Sequence, residues 1–295
     1  MTEIMQHVVN AISLGSLFAL FSLGIALIFG VARIINFALG EFLTFAGYTI
    51  FVTVGFMWLP IFVVIAAILV VVILALVMER IAFRPLREAP ATTLLIVSFS
   101  LSNLLTNILL TTAGGRAKTV DFGSQFVTPI SIGSVRMTLL DLVTIGVTVT
   151  LILALSLVLR YTKIGIQLRA AAEDFGMAKL LGVRANVVVA SAFAISGVLA
   201  AVAGIILTVR IATLTPSFGN QAVIVAFIAT VIGGLGSLTG AALGGFFIGV
   251  LTIFLEVVLP SEFQSFRDSF VFGLILVVLL IRPNGFIPTP TGERA

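Results

Sequence analysis

An all-α polytopic membrane fold is what this sequence predicts, and three observations predict it. Hydrophobic residues make up 60% of the 295 and charged residues only 9%, where a soluble domain carries about 25% charged. The mean hydropathy of +1.28 repeats the point. The apolar residues also fall in runs long enough to cross a bilayer, whose ~30 Å hydrocarbon core needs roughly 20 helical residues. Finally, the runs do not alternate polar and apolar residues, as barrel strands would, and backbone groups in lipid must pair within their own segment.

The first run, 8–30, follows a start, MTEIMQH, that lacks Lys and Arg. It therefore reads as a retained helix and not as a signal peptide. Further spans are predicted at about 37–57, 59–78, 92–112, 138–159 and 187–209. The stretch 222–259 is apolar for 38 residues. A straight helix of that length would reach ~57 Å, so it must break. The break is written as GGLGSLTGAALGG, Gly233 to Gly245. A short last run, 266–281, brings the expectation to about 8–9 crossing helices, at least one of them broken and Gly-rich. The segment 113–137, with Gly114, Gly115, Gly123, Pro129 and Gly133, reads as an irregular external loop. Nothing predicts a soluble domain, so residues 1–295 form a single transmembrane domain.

Charge sets the orientation. The 160–186 loop carries Arg160, Lys163, Arg169, Lys179 and Arg184; the 79–91 loop carries Arg80, Arg84 and Arg87; Arg33, Arg282 and Arg294 fall on the same side. The other side has Arg116, Lys118, Arg136, Arg210 and Arg267. Eleven basic residues against five make the first side cytoplasmic. The C-terminus is then inside, and the N-terminus outside if 222–259 crosses twice. The net charge of +4 is spread through these loops and not pooled on a module that could hold nucleic acid.

Composition also excludes chemistry. With no cysteine and one histidine, His7 near the N-terminus, the chain has no disulfide, thiolate site, histidine metal site or triad. GGRAKT at 114–119 fails as a phosphate loop because Ala117 stands where Gly must precede the Lys. No cofactor is expected.

Four sets of residues carry candidate function. Asn36 is placed to cap the second span; Gly40 and Glu41 follow it. Glu41 reads either as an interfacial carboxylate with water access or as an inward-facing group of a gated pore. Asn103 and Asn107, four apart, share one helix face, for interhelical hydrogen bonds or for solute contact. Glu256 reads as interfacial. Gly233, Gly234, Gly236 and Ser237 open the Gly-rich break. Its spacings Gly236/Gly240, Gly240/Gly244 and Gly245/Gly249 allow close backbone approach, while a discontinuous helix near the midplane would turn freed backbone groups toward a pathway. In the 160–186 loop, RAAAEDFGMAKLLG reads as one short amphipathic helix with Ala171, Phe175, Ala178 and Leu181 or Gly182 on one face. Glu173 and Asp174 near its start and Lys179 near its end suit the helix dipole, and Gly182 supplies the stop. Its alanine face suits a protein groove better than a membrane surface.

INFALGEF (35–42), ERIAFRPLR (79–87), AEDFGMAKLLGV (172–183), IGGLGSLTGAALGG (232–245) and LLIRPNGF (279–286) together make the chain resemble the shorter permease subunit of branched-chain amino acid-type ABC importers. Leu39 departs from the family, which usually has His or Gln there. The resemblance implies an ABC importer permease fold in the bacterial inner membrane. It implies a second permease chain of the same family, two cytoplasmic ATPases and an extracytoplasmic solute-binding protein as partners. The family's coupling helix maps to 170–182, so Ala172, Glu173, Asp174, Phe175, Lys179 and Gly182 become candidates for docking on an ATPase. Branched-chain or other amino acids are the expected solutes, with urea, amides and aromatic acids as alternatives. An ion-coupled carrier or channel would want mid-span charges, which are scarce here. A membrane enzyme would want convergent acid and base groups, which are lacking.

Overall fold

Eleven α-helices account for most of residues 2–56, 59–132, 135–283 and 285–287, which the computed structural model describes. Gly133 and Arg294 lie outside the described residues. At the centre is α1 (Thr2–Ala32), buried on nearly all sides. It packs most extensively against α10 (Leu238–Val258) and next against α8 (Ala185–Ile211). Glycines make the α1–α10 contact possible: a Cβ on Gly245 would strike the Ala19 backbone at 2.6 Å, and one on Gly249 would strike that of Gly15. Buried hydroxyls tie the same layer. Ser22 Oγ donates to the Ala241 carbonyl (2.7 Å) and Ser196 Oγ to that of Gly24 (2.8 Å). In lipid such bonds contribute modestly, about 0.6 kcal/mol each on average, but they fix register.

Around this core stand α3 (Pro60–Met78, continued by a π turn to Phe83), α4 (Ala91–Ala113), α5 (Leu139–Tyr161) and α11 (Arg267–Ile281). With α1, α8 and α10 these give, among the described residues, seven helices long and apolar enough to cross, counting the 3₁₀ turn Ser261–Phe266 with α11. Two further apolar helices are shorter: α2 (Leu39–Val54) and α9 (Phe218–Gly233), 16 residues each. At about 24 Å they stop short of a full crossing.

Ion pairs mark the two ends of the bundle. At one, Arg210 Nη2 donates to Asp141 Oδ1 (2.6 Å) and Ser13 Oγ (2.7 Å), joining α8, α5 and α1. Asp141 also closes a capping box with Thr138. At the other, Arg87 pairs with Glu79 and donates to Asn186 Oδ1 (2.8 Å), joining the 84–90 turn to α3 and α8. The second end is the Arg- and Lys-rich, cytoplasmic one.

The external loop holds more order than its composition suggests. Strands β1 (Lys118–Thr119) and β4 (Thr213–Leu214) pair across the chain, and β2 (Pro129–Ile132) pairs antiparallel with β3 (Val135–Thr138).

An inverted repeat emerges from these directions. Helix α1 runs inward, a six-residue segment (33–38) turns back, α2 rises outward from mid-depth, and α3 returns inward. Helix α8 runs outward, 212–217 turns back, α9 descends inward from mid-depth, and α10 returns outward. A shift of 179 residues carries Arg33 onto Ala212, Leu39 onto Phe218 and Val54 onto Gly233. Arg33 (φ 55) and Ala212 (φ 56) are the non-glycine residues with positive φ among the described residues. Both halves thus end their long helix on the same left-handed residue. The span expected over 37–57 is this half-helix.

Candidate functional site

The half-helices meet head to head. Leu39, at the start of α2, lies beside Gly24 of α1, level with Ser196 of α8. Gly40 and Gly219 then touch backbone to backbone: a Cβ on Gly40 would sit 2.8 Å from the Gly219 carbonyl oxygen, and one on Gly219 would fall inside the Gly40 carbonyl. Gly219 N donates to Thr44 Oγ1 (2.9 Å). Two helix N-termini, each with a partial positive charge, therefore converge near mid-membrane.

Glu41 lies in the first turn of α2, where that charge favours a carboxylate. Its exposure is 0%, which corrects the expectation of an interfacial residue with water access. The cause is α4, which lies over it. Ser102 Oγ and Thr106 Oγ1 both donate to Glu41 Oε1, at 3.0 and 2.9 Å. Oε2 has no hydrogen-bond partner among the described residues. A buried carboxyl half-satisfied in this way is unfavourable for stability, and such groups in membrane helices mark function. Asn36, also buried, accepts at Oδ1 from Ala38 N (3.1 Å), turning the chain into α2, while its Nδ2 has no partner among the described residues. It shapes the turn before α2; the helix itself starts at Leu39. Phe37 stacks on Phe99 of α4 at 4.5 Å and tilts against Phe227 of α9 at 5.2 Å.

Asn103 and Asn107 do share a face, and it is exposed. Ser100 and Thr111 extend it along α4, also exposed. Each asparagine donates only to its own helix, to the Phe99 carbonyl (2.9 Å) and the Asn103 carbonyl (2.7 Å). The interhelical bonds that would have explained them are not made among the described residues. A polar stripe on the outside of a membrane helix needs a partner or water against it.

The Gly-rich break needs a correction of depth. Gly234 to Ser237 form a cytoplasmic turn between α9 and α10, and do not lie near the midplane. Gly236 (φ 91) lies beside Gly30 in the last turns of α1. The chain beyond α11 covers the turn: Phe286 N donates to the Ile232 carbonyl (2.7 Å) and Ile287 N to that of Gly233 (3.1 Å). Ser237 Oγ caps α10 by accepting from Gly240 N (3.0 Å), and Gly233 packs against the Gly240 backbone. The segments that turn back to the half-helices are 33–38 and 212–217 instead.

The cytoplasmic loop is two helices and not one. Helix α6 (Lys163–Glu173) ends where Asp174 turns extended (φ −147, ψ 103), and Asp174 Oδ1 caps α7 (Phe175–Leu180) through Met177 N (2.9 Å). Glu173 is therefore the last residue of α6, at the wrong end for its dipole, whereas Asp174 and Lys179 suit that of α7. Ala171 and Ala178 are buried within this chain, Ala172 and Phe175 half-buried, and Gly182 (φ 85) ends the segment. What projects outward is Met177, Leu180 and Leu181, exposed by 55%, 83% and 79%. Sequence reasoning missed this apolar patch and expected the alanine face, with Leu181 or Gly182 at its end, to be the one that docks; Ala171 and Ala178 of that face are buried within this chain. The spacing 177, 180, 181 was the signal available. Beside it lies a groove lined by Arg84, Arg87, Glu88, Phe175, Lys179 and Arg184.

Residues 7–280 match the family model described as "Branched-chain amino acid transport system / permease component". The chain is 33% identical to the high-affinity branched-chain amino acid transport system permease protein LivH of Salmonella typhimurium, over 98% of this chain and 97% of that protein. It is 32% identical to BraD of Pseudomonas aeruginosa over the same shares. A probable LivH permease of Methanocaldococcus jannaschii is 28% identical over 94% of this chain and 90% of its own length. No solved structure matches.

Proposed function

The chain belongs to the permease components of branched-chain amino acid transport systems, and from that premise we propose that it forms half of the membrane pathway of an ATP-driven amino acid importer. The observation that carries the reading is the mid-membrane junction of α2 and α9, with Glu41 behind it and the polar face of α4 beside it. Discontinuous helices at a repeat interface are where transporters place their solute path. The stripe Ser100, Asn103, Asn107 and Thr111 lines that path against a second permease chain of the same family. Its amide and hydroxyl groups suit a small polar or zwitterionic solute, of which a branched-chain amino acid is the member the relatives' names favour.

The chain offers no group for hydrolysing ATP, so two cytoplasmic ATPases supply the work. One of them docks on this chain at Met177 and Leu180 of α7 and the adjoining Leu181, with Arg84, Lys179 and Arg184 of the neighbouring groove facing acidic residues of the ATPase. An extracytoplasmic binding protein delivers the solute to the external end, in the cytoplasmic membrane of the cell.

The test is uptake of radiolabelled leucine by proteoliposomes holding the four-subunit complex, its binding protein and ATP. The pair Asn103→Leu and Asn107→Leu should lower uptake roughly tenfold, equivalent to about 1.4 kcal/mol, with the complex still intact on gel filtration. Wild-type uptake in that variant removes α4 from the path. Uptake by the permease chains alone would favour an ion-coupled carrier.

A further inference from the structure

Between α5, α6 and α10, on the cytoplasmic half of the bundle, lies a groove of about 740 Å³, within the range of sites that take a ligand of some size. Its walls are Leu23, Leu155, Leu238 and Leu243, and its cytoplasmic rim carries Arg160 and Arg169. Neither arginine has a carboxylate partner among the described residues. The groove follows α5 from Ile152 to Arg160, about 12 Å. That is close to one leaflet's share, ~15 Å, of the hydrocarbon core.

We propose that this groove binds an anionic glycerophospholipid of the inner leaflet, its phosphodiester between Arg160 and Arg169 and an acyl chain along Leu155 and Leu243. Two arguments select a lipid. An apolar trough capped by two cations at headgroup depth is complementary to an anionic amphiphile, and cytoplasmic basic pockets between membrane helices bind such headgroups. A second copy of this chain is a poor occupant. A two-fold contact centred here would set Arg160 and Arg169 against themselves, while the cytoplasmic carboxylates Glu88, Glu173 and Asp174 lie outside the groove lining. Arg169 also borders a small recess shared by Ala172 and Gly236, so the headgroup touches the helix that precedes the ATPase dock. The proposal needs only the inward orientation of this end, not the identity of the solute.

The experiment is native mass spectrometry of the intact complex released from nanodiscs of phosphatidylcholine containing phosphatidylglycerol. The wild type should retain phosphatidylglycerol in preference to phosphatidylcholine. Arg160→Gln with Arg169→Gln should weaken that binding about 25-fold, roughly fivefold per arginine, and the double Lys variant far less. Ala242→Phe, which fills the trough and leaves the charges in place, should weaken retention of both lipids and covers the case in which the Gln variant fails to assemble. Equal retention of the two lipids, or undiminished phosphatidylglycerol in the Gln and Phe variants, overturns the proposal. So does a disulfide between two copies of Leu243→Cys, unambiguous in a chain without cysteine.

Discussion

Alanine at position 219 would place a methyl group where the Gly40 carbonyl already is, with Thr44 Oγ1 only 2.9 Å away on another side. The obstacle is backbone of a packed half-helix, so α2 and α9 must part by more than an ångström. Overpacking typically costs about 1–3 kcal/mol, and Gly219→Ala belongs at the top of that range. Gly40→Ala is milder: its Cβ meets the Gly219 carbonyl oxygen at 2.8 Å and the Val223 side chain, which can give, at 3.1 Å. We place it near 1 kcal/mol. The controls are Gly146→Ala in α5 and Gly273→Ala in α11, where nothing lies within 4 Å of an added Cβ; these should be neutral or slightly stabilising, since helical Gly carries a cost of about 0.5–1 kcal/mol relative to Ala. Thermal unfolding of the purified complex reads the difference. At about 2–4 °C per kcal/mol, Gly219→Ala should lose some 6–12 °C and Gly40→Ala a third of that. ATP-driven uptake should fall most in Gly219→Ala, even at temperatures where the complex is intact. If Gly219→Ala matches Gly146→Ala in both measurements, the half-helices do not meet as described and the junction loses its role.

Two further outcomes are expected. Asp174→Asn keeps a side-chain oxygen for Met177 N and should leave coupling intact, whereas Asp174→Arg loses the cap, about 1 kcal/mol, and Leu180→Glu with Leu181→Glu puts charge into an apolar dock. Both should reduce co-purification of the ATPases and solute-stimulated ATP hydrolysis; full retention in the double Glu variant would move the dock elsewhere. Asp141→Ala leaves Arg210 partly buried without its counter-ion and should destabilise the complex by about 2 kcal/mol, below the 3–5 expected of a fully buried pair because Arg210 keeps some water access. A melting temperature unchanged in Asp141→Ala would show that the external clamp of α1, α5 and α8 does not contribute.

The long spans were legible because a bilayer leaves few choices. The runs 92–112, 138–159 and 187–209 became α4, α5 and α8 with ends shifted by at most two residues. Depth was not legible. Hydropathy counts apolar residues and is blind to where in the membrane they begin, so 37–57 read as a span when α2 starts at mid-depth. The repeat was equally hidden: α2 and α9 share only two identities, Gly40 with Gly219 and Val52 with Val231. What the halves have in common is backbone, a left-handed residue and a close glycine contact, and many sequences satisfy both. The dense glycines at 233–245 drew attention to the wrong break, because glycine serves close helix packing as readily as a discontinuity. Glu41 was singled out as a rare carboxylate, but its burial depends on α4, some 60 residues away, which no local pattern encodes. The helix break at Asp174 was written in the sequence as an N-cap, and the alanine run ahead of it masked the signal.

The geometry also shows how a push at the cytoplasmic surface can reach mid-membrane without a long chain of side chains. Helix α6 meets the Gly234–Ser237 turn at the recess where Arg169 and Ala172 face Gly236 and Gly30. That turn is the inner end of α9, whose outer end is the Gly40–Gly219 contact. Sixteen helical residues, about 24 Å, connect the two as one rigid rod, and Gly240 and Gly244 hold it flush against α10. The N-terminal turn of α9 ends against α2, with Gln221 Nε2 donating to Asp268 Oδ2 (2.7 Å) at the start of α11 as its lateral tie. Movement of α6 and α7 with an ATPase would therefore be delivered as displacement of α9 against Gly40, and from there to Glu41 and its two hydroxyl partners on α4. A coupling route needs an element with two arrangements that both sites bias. The head-to-head glycines are a place in this fold where a shift of an ångström separates contact from clash, and in the proposed importer they are where displacement of α9 would reach Glu41.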